Sequence, residues 1–124
     1  MFQKIPFPDK LAQRQVIFLI YIMFIAVISL LPTDSSTLPI KHIDKVGHFI
    51  AYAIMAILAI ISFGDWKGRL AAVLLTFIVA FLLEWGQGFS PGRLSNLADG
   101  VTNVLGLLAG LSIYWIHDVQ SRRQ

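Results

Sequence analysis

The sequence predicts an all-α integral membrane protein, built as a four-helix bundle with both termini in the cytoplasm. Apolar residues make up 56% of the 124 residues and charged residues only 14%, whereas soluble domains carry about 25% charged residues. Four apolar runs approach the roughly 20 residues that an α-helix needs to cross a bilayer. Lys and Arg are divided unevenly between the two ends of these runs, which indicates their orientation.

The predicted spans belong to a single domain that takes in the whole chain, and they cover residues 10–31, 45–63, 67–88 and 96–117. Asp9 is a candidate N-cap for the first helix, and Asp44 is a candidate N-cap for the second. The polar residues 118–124 are expected to form a tail. At about 1.5 Å per residue, each run is long enough to cross the ~30 Å hydrocarbon layer.

The first span has a competing interpretation as a secretory signal peptide, because Lys4, Lys10 and Arg14 precede its apolar core. However, no small-residue cleavage motif follows, and three further apolar runs need a membrane in any case. We therefore predict an uncleaved first span in a multi-pass protein of the inner or plasma membrane.

The distribution of basic residues predicts the orientation. Seven belong to the N-terminal tail, the loop between the second and third spans, and the C-terminal tail: Lys4, Lys10, Arg14, Lys67, Arg69, Arg122 and Arg123. The opposite side has three: Lys41, Lys45 and Arg93. The loops at 32–43 and 89–98 are therefore expected to face outward.

Composition also excludes several classes of function. The chain has no cysteine, so disulfides, thiolate metal sites and cysteine nucleophiles are ruled out. The basic residues are scattered through loops and tails without a basic surface interleaved with aromatic residues, so nucleic acid is not an expected partner.

Polar side chains are concentrated at the predicted outward ends of the last three spans. An ionisable group at the centre of a membrane helix costs roughly 2.5–3.5 kcal/mol on insertion scales, so such a concentration suggests a function. Their spacing of three or four residues places the members from each helix on one face. We expect one outward-facing polar pocket between the second, third and fourth helices, with ligand-binding residues Asp44, Lys45, His48, Tyr52, Glu84, Gln87, Arg93, Asp99 and Asn103.

Gly106 and Gly110 continue the stripe that begins with Asp99 and Asn103 on the fourth span. Small residues at this spacing let a neighbouring helix approach closely, so the stripe is expected to face the interior of the bundle. These two glycines are expected to serve helix packing.

Arg93 follows the turn signal Ser90-Pro91-Gly92. A guanidinium at the outer interface suits a phosphate or carboxylate, so Arg93 is expected to lie over the mouth of the pocket. Two other interpretations stay open: Arg93 reaches out to lipid head groups, or it neutralises Glu84.

The same residues permit a catalytic interpretation, with His48, Glu84 and Asp99 as candidates, because a carboxylate beside a histidine can act as a general base. They could also ligate a metal. However, the chain has no H-E-x-x-H motif and no paired-histidine spacing, so neither a metal nor another cofactor is predicted.

A purely structural interpretation also remains for the polar residues. In it, Glu84 or Asp99 pairs with Arg93, while Gln87 and Asn103 satisfy backbone groups at helix ends.

The polar residues and glycines form an ordered pattern: Asp44-Lys45-x-x-His48-Phe49-x-x-Tyr52, Glu84-x-x-Gln87-x-x-x-Pro91-x-Arg93 and Asp99-x-x-x-Asn103-x-x-Gly106-x-x-x-Gly110. This pattern resembles the VanZ-like family over residues 44–110, more than half of the chain. The resemblance implies a small polytopic membrane protein. The family takes its name from a member associated with low-level resistance to the glycopeptide teicoplanin, and no settled catalytic assignment comes with the motif.

The expected function is binding of an anionic cell-envelope lipid, a wall precursor or a glycopeptide-type ligand. One alternative is a membrane-embedded hydrolase or transferase acting on a lipid-linked substrate, with Glu84 or Asp99 as base and His48 assisting. Another is a structural protein that binds a membrane-protein partner or a second copy of itself. The chain lacks a nucleophile elbow, a Gly-rich phosphate loop and a metal motif, which favours binding over catalysis.

Overall fold

A computed structural model of the chain describes residues 10–31, 43–90 and 96–124. Within these ranges the chain forms no strand, and its helices are α1 (Leu11–Leu30), α2 (Ile43–Ile61), α3 (Trp66–Gln87) and α4 (Leu97–Arg122). All four are long and apolar enough to cross a membrane. The predicted all-α, four-span fold is confirmed, while the orientation of the termini stays a prediction.

The starts of the first two helices differ slightly from the sequence prediction. α1 begins after Lys10, which makes no side-chain cap, and Asp9 lies outside the described residues. α2 begins at Ile43, so Asp44 lies within its first turn and the prediction that it is the N-cap is wrong. A carboxylate in the first turn is still favourable there, because it complements the positive end of the helix dipole.

Side-chain caps define the starts of α3 and α4. The Asp65 carboxylate accepts a hydrogen bond from the Gly68 amide at 3.1 Å, and the Asn96 side chain accepts one from the Ala98 amide at 2.9 Å. Each cap satisfies one of the amides that the first turn of a helix leaves without a partner. Both helices therefore start within one residue of the predicted boundary.

The end of α4 was predicted at residue 117, but the helix continues to Arg122. The Arg122 guanidinium lies 3.0 Å from the Asp118 carboxylate, one turn earlier on the same face. The polar composition after residue 117 marks the end of the apolar run, not the end of the helix. Polar residues at this spacing continue a helix through contacts between successive turns.

The closest helix pair is α2 with α4, and the two run parallel, because Lys45 meets Asp99 and, one turn later in both helices, His48 meets Asn103. A Cβ atom built on Gly106 would overlap the carbonyl oxygen of Phe49 and lie 3.1 Å from its Cα. One built on Gly110 would overlap the carbonyl oxygen of Ala53 and lie 3.0 Å from its Cα. The prediction that the glycine stripe faces the bundle interior is confirmed, since any larger side chain would hold the two backbones apart.

The first helix packs on the outside of the bundle, and only 11% of its most apolar window is buried. Phe18 and Ile25 are its buried apolar side chains, and the Tyr21 hydroxyl donates to the Ala51 carbonyl of α2 at 2.8 Å. Near its C-terminal end, the Leu30 carbonyl accepts a hydrogen bond from the Ser90 hydroxyl at 2.8 Å. Most of α1 is therefore left to face lipid.

Candidate functional site

The polar residues gather at the end of the bundle where α2 and α4 begin and α3 ends. The outermost contact is an ion pair between Lys45 Nζ and Asp99 Oδ1 at 2.9 Å, with side chains 28% and 13% exposed. It joins the first turns of α2 and α4. Lys45 also lies 3.9 Å from Asp44, whose side chain is 42% exposed and thus largely outside the bundle.

One turn further along α2, His48 Nδ1 lies 2.8 Å from the side-chain oxygen of Asn103 on α4. Because an amide oxygen only accepts, Nδ1 donates in this contact, and in the neutral ring Nε2 is then an acceptor. Asn103 is only 2% exposed. The structural interpretation assigned Asn103 to a helix-end backbone group, and the contact that the structure shows is one between its side-chain oxygen and His48 across the α2–α4 interface.

Tyr52 lies another turn along the same face of α2 and is 2% exposed. Glu84 of α3 faces the start of α4, because its Cγ lies 3.7 Å from the position that a Cβ on Gly100 would take. The structure thus brings side chains of three helices to one end of the bundle. It joins the α2 and α4 members by direct hydrogen bonds.

Glu84 connects α3 to the start of α4. Its Oε1 atom accepts a hydrogen bond from the backbone amide of Asn96 at 2.9 Å. Its Oε2 atom is buried and, within the described ranges, has no hydrogen-bond partner. A buried polar atom left without a partner costs about 1–3 kcal/mol, and more if it is charged. No other buried side-chain nitrogen or oxygen in the described parts of the chain lacks a partner.

The structure says less about the remaining residues of the predicted site. Gln87 is 4% exposed in the last turn of α3. Arg93 lies in the segment 91–95, outside the described residues, so its position over the cluster stays a prediction. The partner of Asp99 in the described chain is Lys45, which the structural interpretation did not consider for it.

A groove of about 580 Å³ runs between α3 and α4 beside this cluster. The lining is mostly apolar, with Glu84 and Asn96 at its polar end: Phe77, Ala80, Phe81, Glu84, Trp85, Asn96, Leu97, Gly100, Val101, Val104 and Leu105. Sequence reasoning missed this groove. Two features of the sequence could have revealed it. The lining residues recur at intervals of three and four along both helices, and Gly100 has no side chain to fill the space.

The electrostatic balance of the cluster is acidic. Its described carboxylates are Asp44, Glu84 and Asp99, its one described ammonium is Lys45, and His48 and Tyr52 are its other ionisable side chains. No three His, Asp or Glu residues of the described chain are grouped so that they could hold a metal ion. Asp99 is engaged by Lys45 and one oxygen of Glu84 by Asn96, so the free Glu84 oxygen is the point where a positive or hydrogen-bond-donating group fits best.

Comparison with protein families identifies the family of the chain. The sequence model of the VanZ/LLP1 family matches residues 9–118, a range that includes every candidate residue from Asp44 to Asn103. No curated protein and no solved structure matches the chain.

Proposed function

We propose that this chain, which belongs to the VanZ/LLP1 family as its motif pattern indicated, binds a cell-envelope amphiphile in the membrane. The polar head of the ligand is held by the cluster at the common end of α2, α3 and α4. The four apolar helices support a multi-pass membrane protein, which gives the cluster access to lipid and lipid-linked compounds. The ligand class includes membrane lipids, lipid-linked wall precursors and acylated glycopeptides.

The observation that carries this proposal is the unpartnered Oε2 of Glu84. Lys45 and Asp99 bond to each other, as do His48 and Asn103. A role in linking α2 to α4 is enough to explain both pairs. Glu84 is different, because an ionisable group inside a bundle needs a partner and one of its oxygens has none. A ligand that supplies this partner would gain affinity from a hydrogen bond that the described chain leaves unmade.

The anionic character that the sequence suggested for the ligand rests on Arg93. A phosphate bound there would sit just outside the carboxylates of the cluster, so its recognition depends on the guanidinium and on Lys45. Within the proposal, Lys45 and Asp99 fix the starts of the two parallel helices. His48 is positioned by Asn103, and in the neutral ring its Nε2 accepts a hydrogen bond from the ligand.

The test is identification of the compound that copurifies with the full chain. Wild-type protein is extracted in a mild detergent and its bound amphiphiles are measured by native mass spectrometry, beside Glu84→Gln and the control Asp118→Asn. The control makes the same acid-to-amide change near the far end of α4, away from the cluster. We expect one amphiphile class to be retained by wild type and the control and depleted in Glu84→Gln.

Equal retention by all three proteins, or no retained amphiphile, would overturn the proposal. If wild type instead converts the copurified compound to a cleaved or transferred product, binding alone is the wrong description. The hydrolase or transferase alternative would then replace it.

A further inference from the structure

We infer that the α3–α4 groove holds a hydrocarbon chain of the ligand while Glu84 accepts a hydrogen bond from a primary ammonium on its head group. The ligand is then a lipid of the phosphatidylethanolamine type. This inference rests on the proposed function and assigns its ligand class.

The groove has the size and the lining of a site for an apolar chain. Its volume of about 580 Å³ falls in the range of about 300–1,000 Å³ that is usual for small-molecule sites. Phe81 and Val101, on opposite walls, are 71% and 51% exposed, so the groove opens to the outside of the bundle. In a bilayer this opening faces lipid, and a chain can enter sideways without crossing the protein.

The polar end of the groove lies where it can contact the head group of the same lipid. Glu84 and Asn96 line this end, and Phe77 lines the groove two turns earlier on α3. Seven residues separate Phe77 from Glu84, which corresponds to about 10 Å along the helix axis. An extended chain lying in the groove therefore places its head group beside the Glu84 carboxylate.

The charges near Glu84 favour a positive head group. Lys45 is bound to Asp99 at 2.9 Å and is the only described lysine or arginine of the cluster, which also contains the carboxylates of Asp44 and Glu84. A primary ammonium offers three N–H donors, and a charged donor makes hydrogen bonds roughly twice as strong as a neutral one. A quaternary ammonium has the same charge but no N–H, so it cannot satisfy Oε2 of Glu84.

Titration with three lipids that share the same acyl chains distinguishes the charge of the ammonium from its N–H donors. Delipidated full-length protein is titrated with phosphatidylethanolamine, phosphatidylcholine or phosphatidylglycerol, and bound lipid is counted by native mass spectrometry. We expect phosphatidylethanolamine to bind most tightly. In Glu84→Gln its affinity is expected to fall roughly tenfold or more, toward that of phosphatidylcholine, because the charge-assisted hydrogen bond is lost.

A second variant tests the groove without touching the carboxylate. Val104 lines the groove, and Val104→Trp fills the space that the chain would occupy. The matched control is Val27→Trp on α1, where the residue is 58% exposed and away from the groove. We expect Val104→Trp to weaken binding of phosphatidylethanolamine and Val27→Trp to leave it unchanged. Melting temperatures of all variants are measured to check that they are folded.

The outcomes separate the inference from the proposal on which it rests. Tightest binding of phosphatidylglycerol, or equal binding of the ethanolamine and choline lipids, overturns the ammonium assignment while leaving envelope-lipid binding in place. Unchanged binding in Val104→Trp overturns the groove assignment. Binding of none of these lipids, by a protein that also retains no amphiphile on purification, overturns both.

Discussion

The backbone amide of Asn96 donates a hydrogen bond to Oε1 of Glu84 at 2.9 Å, so the carboxylate at the end of α3 holds the residue that caps α4. This bond gives Glu84 a structural role that is separate from the role proposed for its second oxygen. The two roles can be separated by substitution, because glutamine keeps an acceptor oxygen and alanine does not.

We therefore predict that Glu84→Ala destabilises the protein by about 0.5–1.5 kcal/mol, the net contribution of one hydrogen bond, since it removes the acceptor of the exposed Asn96 amide. Glu84→Gln is expected to retain nearly all of the wild-type stability. The measurement is reversible unfolding in mixed micelles. Equal loss of stability in both variants would mean that the negative charge, and not the acceptor, holds the start of α4.

The glycine contacts between α2 and α4 give a second prediction. Gly106→Ala and Gly110→Ala are each expected to cost about 1–3 kcal/mol, because the added methyl group overlaps a backbone carbonyl that cannot move aside alone. Gly47→Ala is the control, since a Cβ there meets no atom within 4 Å. It should be neutral or stabilising by up to about 1 kcal/mol through helix propensity. Unfolding free energies of the three variants check this order.

The contact between His48 and Asn103 is predicted to couple α2 to α4 energetically. Asn103→Ala leaves the half-buried Nδ1–H of His48 without its acceptor and is expected to cost about 0.5–1.5 kcal/mol. A double-mutant cycle with His48→Ala should give a coupling free energy of about 0.6 kcal/mol, the usual size for hydrogen bonds between membrane helices. Additive single effects would show that the two side chains act independently.

Orientation follows from the distribution of Lys and Arg and is open to direct measurement. We expect a reporter fused after Gln124 to be active in the cytoplasm and one inserted within residues 33–37 to be active outside. An extracytoplasmic C-terminus would place the polar cluster at the cytoplasmic face.

Arg93 gives a last prediction, which concerns ligand binding and not stability. Arg93→Lys keeps the charge but loses the planar fork that grips a phosphate through two parallel hydrogen bonds. Melting temperature should stay near wild type, while binding of a phosphate-bearing lipid or any glycopeptide-resistance phenotype should fall. If lysine supports binding as well as arginine does, Arg93 serves only as a surface charge.

The sequence predicted the helices well because crossing a membrane imposes a length and a composition that are visible in a single chain. It also predicted which face of α4 lies inside, since Gly106 and Gly110 at helical spacing indicate a close neighbour. The identity of that neighbour, α2, could not be predicted from spacing. It depends on which of several apolar helix faces pack together, and one apolar face looks much like another in the sequence.

The pairing of polar groups was harder to predict for the same reason. Lys45 was counted as an orientation signal and assigned to the pocket, but its bond to Asp99 depends on the relative heights of α2 and α4. The bond from Asn96 to Glu84 involves a backbone amide, which no side-chain pattern reveals. The groove beside them depends on the rotation of α3 against α4, which a helical pattern leaves undetermined.

The glycine contacts also determine which parts of the bundle are able to move. Where Gly106 meets Phe49 and Gly110 meets Ala53, backbone rests on backbone with no side chain between them that could change rotamer. Such an interface is incompressible, so α2 and α4 shift together or not at all. α3 makes far fewer contacts with α4, and the groove interrupts them. If the bundle opens or closes, we therefore expect α3 to move against the α2–α4 unit, with Glu84 carried on the moving helix.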